Sequence, residues 1–131
     1  MAPAFSALSK LVADQRQQVR YAVRWKATII WTEENRQYRV DGRTADLSLH
    51  GAAVHCEYNL ILPQSCTMLL SMPALSRESQ PEMVEIKCQY VYTVCQATAR
   101  LFRIGLTFLS IDGDRHKALQ QRLGQHLPFS G

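Results

Sequence analysis

The sequence predicts a mainly β fold: a small six-stranded antiparallel β-barrel with a C-terminal α-helix and an N-terminal helical or mobile arm. Three observations predict it. Six short segments rich in β-branched and aromatic residues follow one another at near-regular spacing, divided by turn-forming residues. The final stretch then changes to helical periodicity. The length, 131 residues with 47% hydrophobic and 20% charged, suits one domain with one modest core.

Residues 1–14 read as the arm and 15–131 as the domain. Phe5, Leu8, Leu11 and Val12 recur at helical spacing, so Pro3 to Gln18 is compatible with a helix or with a mobile tail. From Val19 to Trp31 the pattern becomes strand-like: Val23, Trp25, Ala27 and Ile29 alternate with Arg24, Lys26 and Thr28. The polar Glu33-Glu34-Asn35 forms a turn, and Gln37 to Leu49 returns as a second strand. Asp41-Gly42 interrupts that strand and predicts a bulge or a further turn.

Gly51 to Cys56 continues as a third strand, and Thr67 to Met72 is a fourth, bounded by Pro63 and Pro73. Ala74 to Pro81 is the clearest loop. Met83 to Val94 and Arg100 to Leu109 then read as a hairpin. Asp112-Gly113-Asp114 supplies helix-starting carboxylates, after which Leu119, Leu123 and Leu127 repeat every four residues with Ala118 beside them. That is an amphipathic helix.

The formal charge is +4 and the pI near 9.0, and arginine dominates the excess because only four lysines occur. Arginine's planar fork matches phosphate and the guanine edge, so an anionic partner fits, as does a plain basic surface. The cysteines, Cys56, Cys66, Cys88 and Cys95, show no C-x-x-C spacing and no histidines at zinc-finger distance. They read as reduced structural residues of a cytoplasmic protein. Met1 to Lys10 lacks the pattern of a signal peptide, and no apolar run reaches membrane-spanning length. His55, His116 and His126 have no metal or acid–base partner at useful spacing, and no nucleophile–base pair or paired carboxylates appear. No enzyme, metal or cofactor is expected.

Two motifs carry chemistry. Arg16 and Arg20 form an R-x-x-x-R pair just before the first strand, a spacing that places both on one side of a helix or of an extended chain. Alone it is weak, since Arg20 and Arg24 repeat it. Asp46-Leu47-Ser48-Leu49-His50-Gly51 is rarer. If it is extended, Leu47 and Leu49 face the core while Asp46 and Ser48 face outward together. Gly51 then leaves room for a ligand or permits a positive φ.

Together these segments resemble the PilZ domain family of bacterial cyclic di-GMP receptors. Arg16 and Arg20 match its R-x-x-x-R tail, and Asp46, Ser48 and Gly51 match its [D/N]-x-S-x-x-G strand end. Arg103-Ile104-Gly105-Leu106-Thr107-Phe108 looks like its last barrel strand, so the resemblance spans Gln15 to Leu127. Gln15 stands where the family often has a basic residue, and His50 where it often has a small one.

The resemblance implies a cytoplasmic receptor in which Arg16 and Arg20 take phosphate and guanine O6/N7. Asp46 accepts from the guanine N1–H and N2–H₂, Ser48 bonds base or phosphate, and Gly51 leaves space. Gln15, Arg24, Arg43 and His50 are secondary candidates. The arginine arm closes over the nucleotide and alters a surface for a downstream protein partner. One or two nucleotides per site, and monomer or homodimer, stay open; no DNA, RNA or membrane is expected as a partner. Two alternatives remain: a nucleotide-independent PilZ-like adaptor in pilus or flagellar machinery, and a small basic barrel that binds nucleic acid.

Overall fold

The computed structural model describes residues 19–98, 100–126 and 128. Arg16, Gln15, the Phe5 to Val12 stripe and Leu127 lie outside the described residues.

Six strands run β1 (Lys26–Glu33), β2 (Arg36–Leu47), β3 (Gly51–Cys56), β4 (Ser65–Met72), β5 (Glu82–Gln96) and β6 (Leu101–Ile111). All pairings are antiparallel, and the order β1-β2-β3-β6-β5-β4 closes on itself through β1 and β4. One helix follows, α1 (Gly113–Leu123). The expected fold class is what the chain adopts.

Period-two alternation explains the closure. Ala27, Ile29 and Trp31 of β1 point inward, as do Met68, Leu70 and Met72 of β4 and Val84, Ile86 and Cys88 of β5. Their neighbours point to solvent, so each strand has one apolar face and the barrel encloses all six. Glu34 and Asn35, at φ 50° and 66°, make a two-residue turn from β1 to β2 whose twist matches the flanking strands.

Helix α1 covers one end of the barrel with Leu119 and Leu123. Asp112 caps it by accepting from the Asp114 N–H at 3.2 Å. Arg122, 3% exposed, fixes the far turn: its Nε donates to the Pro73 carbonyl at 2.8 Å and its guanidinium faces Glu82 at 3.5 Å. Glu82 also accepts from Arg115 at 2.7 Å, so β5 and α1 are clamped through one carboxylate.

Two expectations need correction. The first strand begins at Lys26, not near Val19; residues before it run beside β2 through Thr44 and one isolated bridge, Tyr21 to Leu47. Asp41 and Gly42 are in unbroken register with Thr28 and Ala27, and the irregularity falls instead at Ala45, where the β2–β3 register shifts between Thr44 and Asp46. Gly42 serves another purpose. A Cβ there would sit 2.3 Å from the His55 carbonyl oxygen, so glycine is needed for β2 and β3 to approach.

Candidate functional site

The D-x-S-x-x-G segment ends β2 and turns into β3. Ser48 N–H donates to the Gly51 carbonyl at 2.9 Å. The Ser48 hydroxyl accepts from the His50 and Gly51 N–H groups at 3.0 and 3.1 Å. Ser48 is only 2% exposed, so it does not stand outward beside Asp46 as the alternation implied. Its oxygen builds the turn, as serine hydroxyls do where backbone donors lack a ladder partner.

Gly51 is likewise structural. No described glycine has positive φ, and a Cβ on Gly51 would lie 2.7 Å from the Leu106 carbonyl oxygen. Glycine here allows β3 and β6 to pack closely, and the same bareness leaves the outer wall open.

Arg20 is brought to this wall by its neighbour. Tyr21 N–H donates to the Leu47 carbonyl at 2.8 Å and Leu47 N–H donates back at 2.9 Å. Further along, Thr44 ties the same segment down: its N–H donates to the Trp25 carbonyl at 2.8 Å, and its buried hydroxyl accepts from Trp25 N–H at 2.9 Å and donates to the Val23 carbonyl. Residues Tyr21 to Trp25 are therefore fixed along β2, and Arg20 enters the cleft beside Asp46.

The outward file of Asp46, Ala53, Gly105 and Tyr92 crosses four strands in register and floors this cleft. Arg103 of β6 donates through Nη2 to Asp46 Oδ2 and through Nε to the Tyr92 hydroxyl at 3.2 Å. Asp46 and Arg103 side chains are 15% and 24% exposed. Burial disfavours the Arg103 charge, but the Tyr92 hydrogen bond and the Asp46 carboxylate outweigh it and raise its pKa above the ordinary value.

The Tyr92 ring lies flat on Gly105: a Cβ there would meet ring carbons at 2.1 Å. Arg103 and Tyr92 were missed as site residues. Both reach the site only through strand pairing, and the sole local signal was Gly105, bare within an otherwise apolar strand.

Arg20, Asp46, Ser48, His50 and Gly51 thus share one cleft. Arg24 and Arg43 do not; they line a separate cleft with Lys26 and His55. The first cleft holds about 140 Å³. That is below the ~300–1,000 Å³ of pockets that enclose a small molecule, so a larger ligand would stand proud of the wall. Chemically it offers a cationic fork at Arg20, a carboxylate with Oδ1 unengaged by Arg103, and an exposed aromatic ring. Among the described residues no cluster of three or more His, Cys, Asp or Glu is arranged for a metal ion. Among them, too, no helix is long and apolar enough to cross a membrane.

Comparison with known proteins bears on this site. A model of the PilZ domain matches residues 14–125. No curated protein matches the chain. Among solved structures, the chain resembles the inhibitor of motility MotI/DgrA of Bacillus subtilis, with a TM-score of 0.68 and 19% identity. That match covers 84% of this chain and 50% of the other, so this chain spans about half its length. It also resembles the PilZ domain of YcgR from Escherichia coli, solved with c-di-GMP, with a TM-score of 0.57 and 14% identity over 86% of this chain and 91% of that one. At such identities the likeness shows a shared fold.

Proposed function

The chain belongs to the PilZ domain family, and from that premise we propose that it is a bacterial, cytoplasmic receptor for cyclic di-GMP. The observation that carries this reading is the convergence of Arg20, Asp46 and Gly51 on one outer-wall cleft.

Cyclic di-GMP brings two phosphodiester charges and two guanines. Arg20 takes phosphate or guanine O6/N7 as a bidentate fork, and Arg16 joins it from the preceding segment. Asp46 accepts from the guanine N1–H and N2–H₂ through Oδ1 while Oδ2 keeps Arg103. The Tyr92 face offers a stacking surface for a purine, and Gly51 and Ala53 leave the wall low enough for it. Ser48 supports the site by holding the turn that presents Asp46. No reaction is assigned.

Because the cleft is too shallow to enclose a dinucleotide, the rest of the ligand needs cover from elsewhere. In this reading residues 1–14 form an arm, residues 15–131 the domain, and the Arg16 end of the arm orders over the bound nucleotide. The ordering entropy must be exceeded by charge-assisted contacts. Repositioning the Phe5, Leu8, Leu11 and Val12 stripe changes the surface offered to a downstream protein partner.

Isothermal titration of the purified chain with cyclic di-GMP tests the proposal. Saturable binding at one or two nucleotides per chain, reduced by Arg20→Ala, is expected. No heat and no saturation with a folded chain would refute the receptor role and favour a nucleotide-independent adaptor.

A further inference from the structure

The separate cleft that collects Arg24 and Arg43 has its own logic. Lys26 of β1 stands opposite Arg43 of β2, Arg43 opposite His55 of β3, and His55 opposite Arg103 of β6. Three cations and the His55 imidazole thus form one row across four strands on the outer wall, with Lys26 and Arg43 directly opposite each other. Like charges placed directly opposite one another destabilise a sheet, so such a row calls for negative charge.

Arg103 has it in Asp46. The other three do not. No ion pair engages Lys26, Arg43 or His55, or Arg24 beside them, among the described residues. Asp41 lines the same cleft but is committed to Thr28 and Arg39, at 2.7 and 3.0 Å, and those two hydrogen bonds pull its pKa down. Glu57 lines the same cleft without bonding to the row.

A second observation is independent of the charges. The Nε2 of His55 is buried and has no hydrogen-bond partner. Buried polar atoms are nearly always satisfied, so an orphan in the wall of a cleft calls for a group the protein itself does not supply. The cleft is also roomy, at about 610 Å³, within the ~300–1,000 Å³ of small-molecule sites. Its lining includes the apolar Ala27, Cys56 and Leu101, and Tyr58 is exposed beside them.

We propose that this cleft is a second anion site, separate from the Asp46 cleft, for a small organic phosphate. Lys26 and Arg43 hold terminal phosphate oxygens from two strands, with Arg24 at the entrance. His55 gains the partner it lacks, directly or through a water that the phosphate orders. Tyr58 and Leu101 cover the organic body. Phosphate fits better than carboxylate because its tetrahedral oxygens bridge cations on different strands, whereas a planar carboxylate satisfies one fork. The inference does not depend on the nucleotide reading.

Two-dimensional ¹H–¹⁵N NMR of the full chain tests it, with phenyl phosphate as the probe and benzoate as the carboxylate control. Phenyl phosphate should give saturable shifts at Gly42, Arg43 and His55. Arg43→Gln should weaken it at least tenfold. Lys26→Gln, on the neighbouring strand, gives the same reading should Arg43→Gln fold poorly. Shifts that do not saturate, shifts centred on Ser48 to Gly51, or benzoate binding as tightly as phenyl phosphate would each overturn the proposal. Because no cyclic di-GMP is present, its failure leaves the receptor reading standing, and the reverse also holds.

Discussion

Asp46 and Arg103, 57 residues apart in the chain, meet over the top of Ala53. They belong to β2 and β6, which do not pair with each other; β3 runs between them, with Ala53, 3% exposed, opposite Asp46 and His55 opposite Arg103. The carboxylate that ends β2 is therefore held by a cation from across an intervening strand, and the smallness of residue 53 permits it. Ala53→Val should separate the pair, lowering cyclic di-GMP affinity in calorimetry while the far-ultraviolet circular dichroism of the barrel is retained.

Asp46→Ala removes the guanine acceptor. Cyclic di-GMP binding should weaken by about 1–3 kcal/mol, the range for a good bidentate base contact, and discrimination against cyclic di-AMP should fall. Unchanged discrimination in parallel calorimetric titrations would remove Asp46 from guanine recognition.

Arg16→Ala and Arg20→Ala should each weaken cyclic di-GMP binding by about 1–3 kcal/mol. Arg20 is exposed and outside the barrel core, so thermal melting of its variant should match the parent. Unaltered affinity in both would sink the arginine arm.

Ser48→Ala acts on folding before binding. Its oxygen satisfies two N–H groups at the β2–β3 turn, and losing the acceptor leaves both short of a partner. A destabilisation of about 1–3 kcal/mol in urea unfolding is expected.

The cysteines predict a pH effect. Burial pushes the Cys66 thiol up to about 11, and burial with Cys66 close by pushes Cys88 up to about 12, against an ordinary 9.0. Above pH 9 the unfolded chain loses these protons before the folded chain does, so the folded state binds more protons and stability falls as pH rises. The contribution is whole below pH 9 and lost by about pH 12. At neutral pH a thiol reagent should modify exposed Cys95 at once and the buried Cys56, Cys66 and Cys88 only on unfolding. Fast modification of all four in the native protein would contradict this.

Much of the barrel was legible because burial imposes a period of two on Ala27, Ile29 and Trp31, and a four-residue repeat on Leu119 and Leu123. The turn chemistry of Ser48 to Gly51 was legible as a motif, though not in its division of labour. The alternation that assigns Ser48 to the outer face stops where the strand turns. Gly42 misled for a different reason. A glycine within a strand signals either a bend or a close approach, and the sequence carries no mark of the His55 carbonyl that decides between them. Arg103 and Tyr92 were illegible as site residues because their relation to Asp46 is set by register across β3 and β6. Arg24 extends the arginine series and Arg43 lies three residues before Asp46, yet both line the cleft with Lys26 and His55.

Since β4 bonds to β1, the sheet has no first or last strand to offer a stranger. A partner therefore finds no strand with one side wholly free, and open backbone is confined to strand ends such as Arg36–Asp41 of β2, beyond its pairing with β3. Whatever reads this domain must read the pattern of side chains on its outside wall, where substitution can rewire recognition without disturbing the hydrogen-bonded frame beneath.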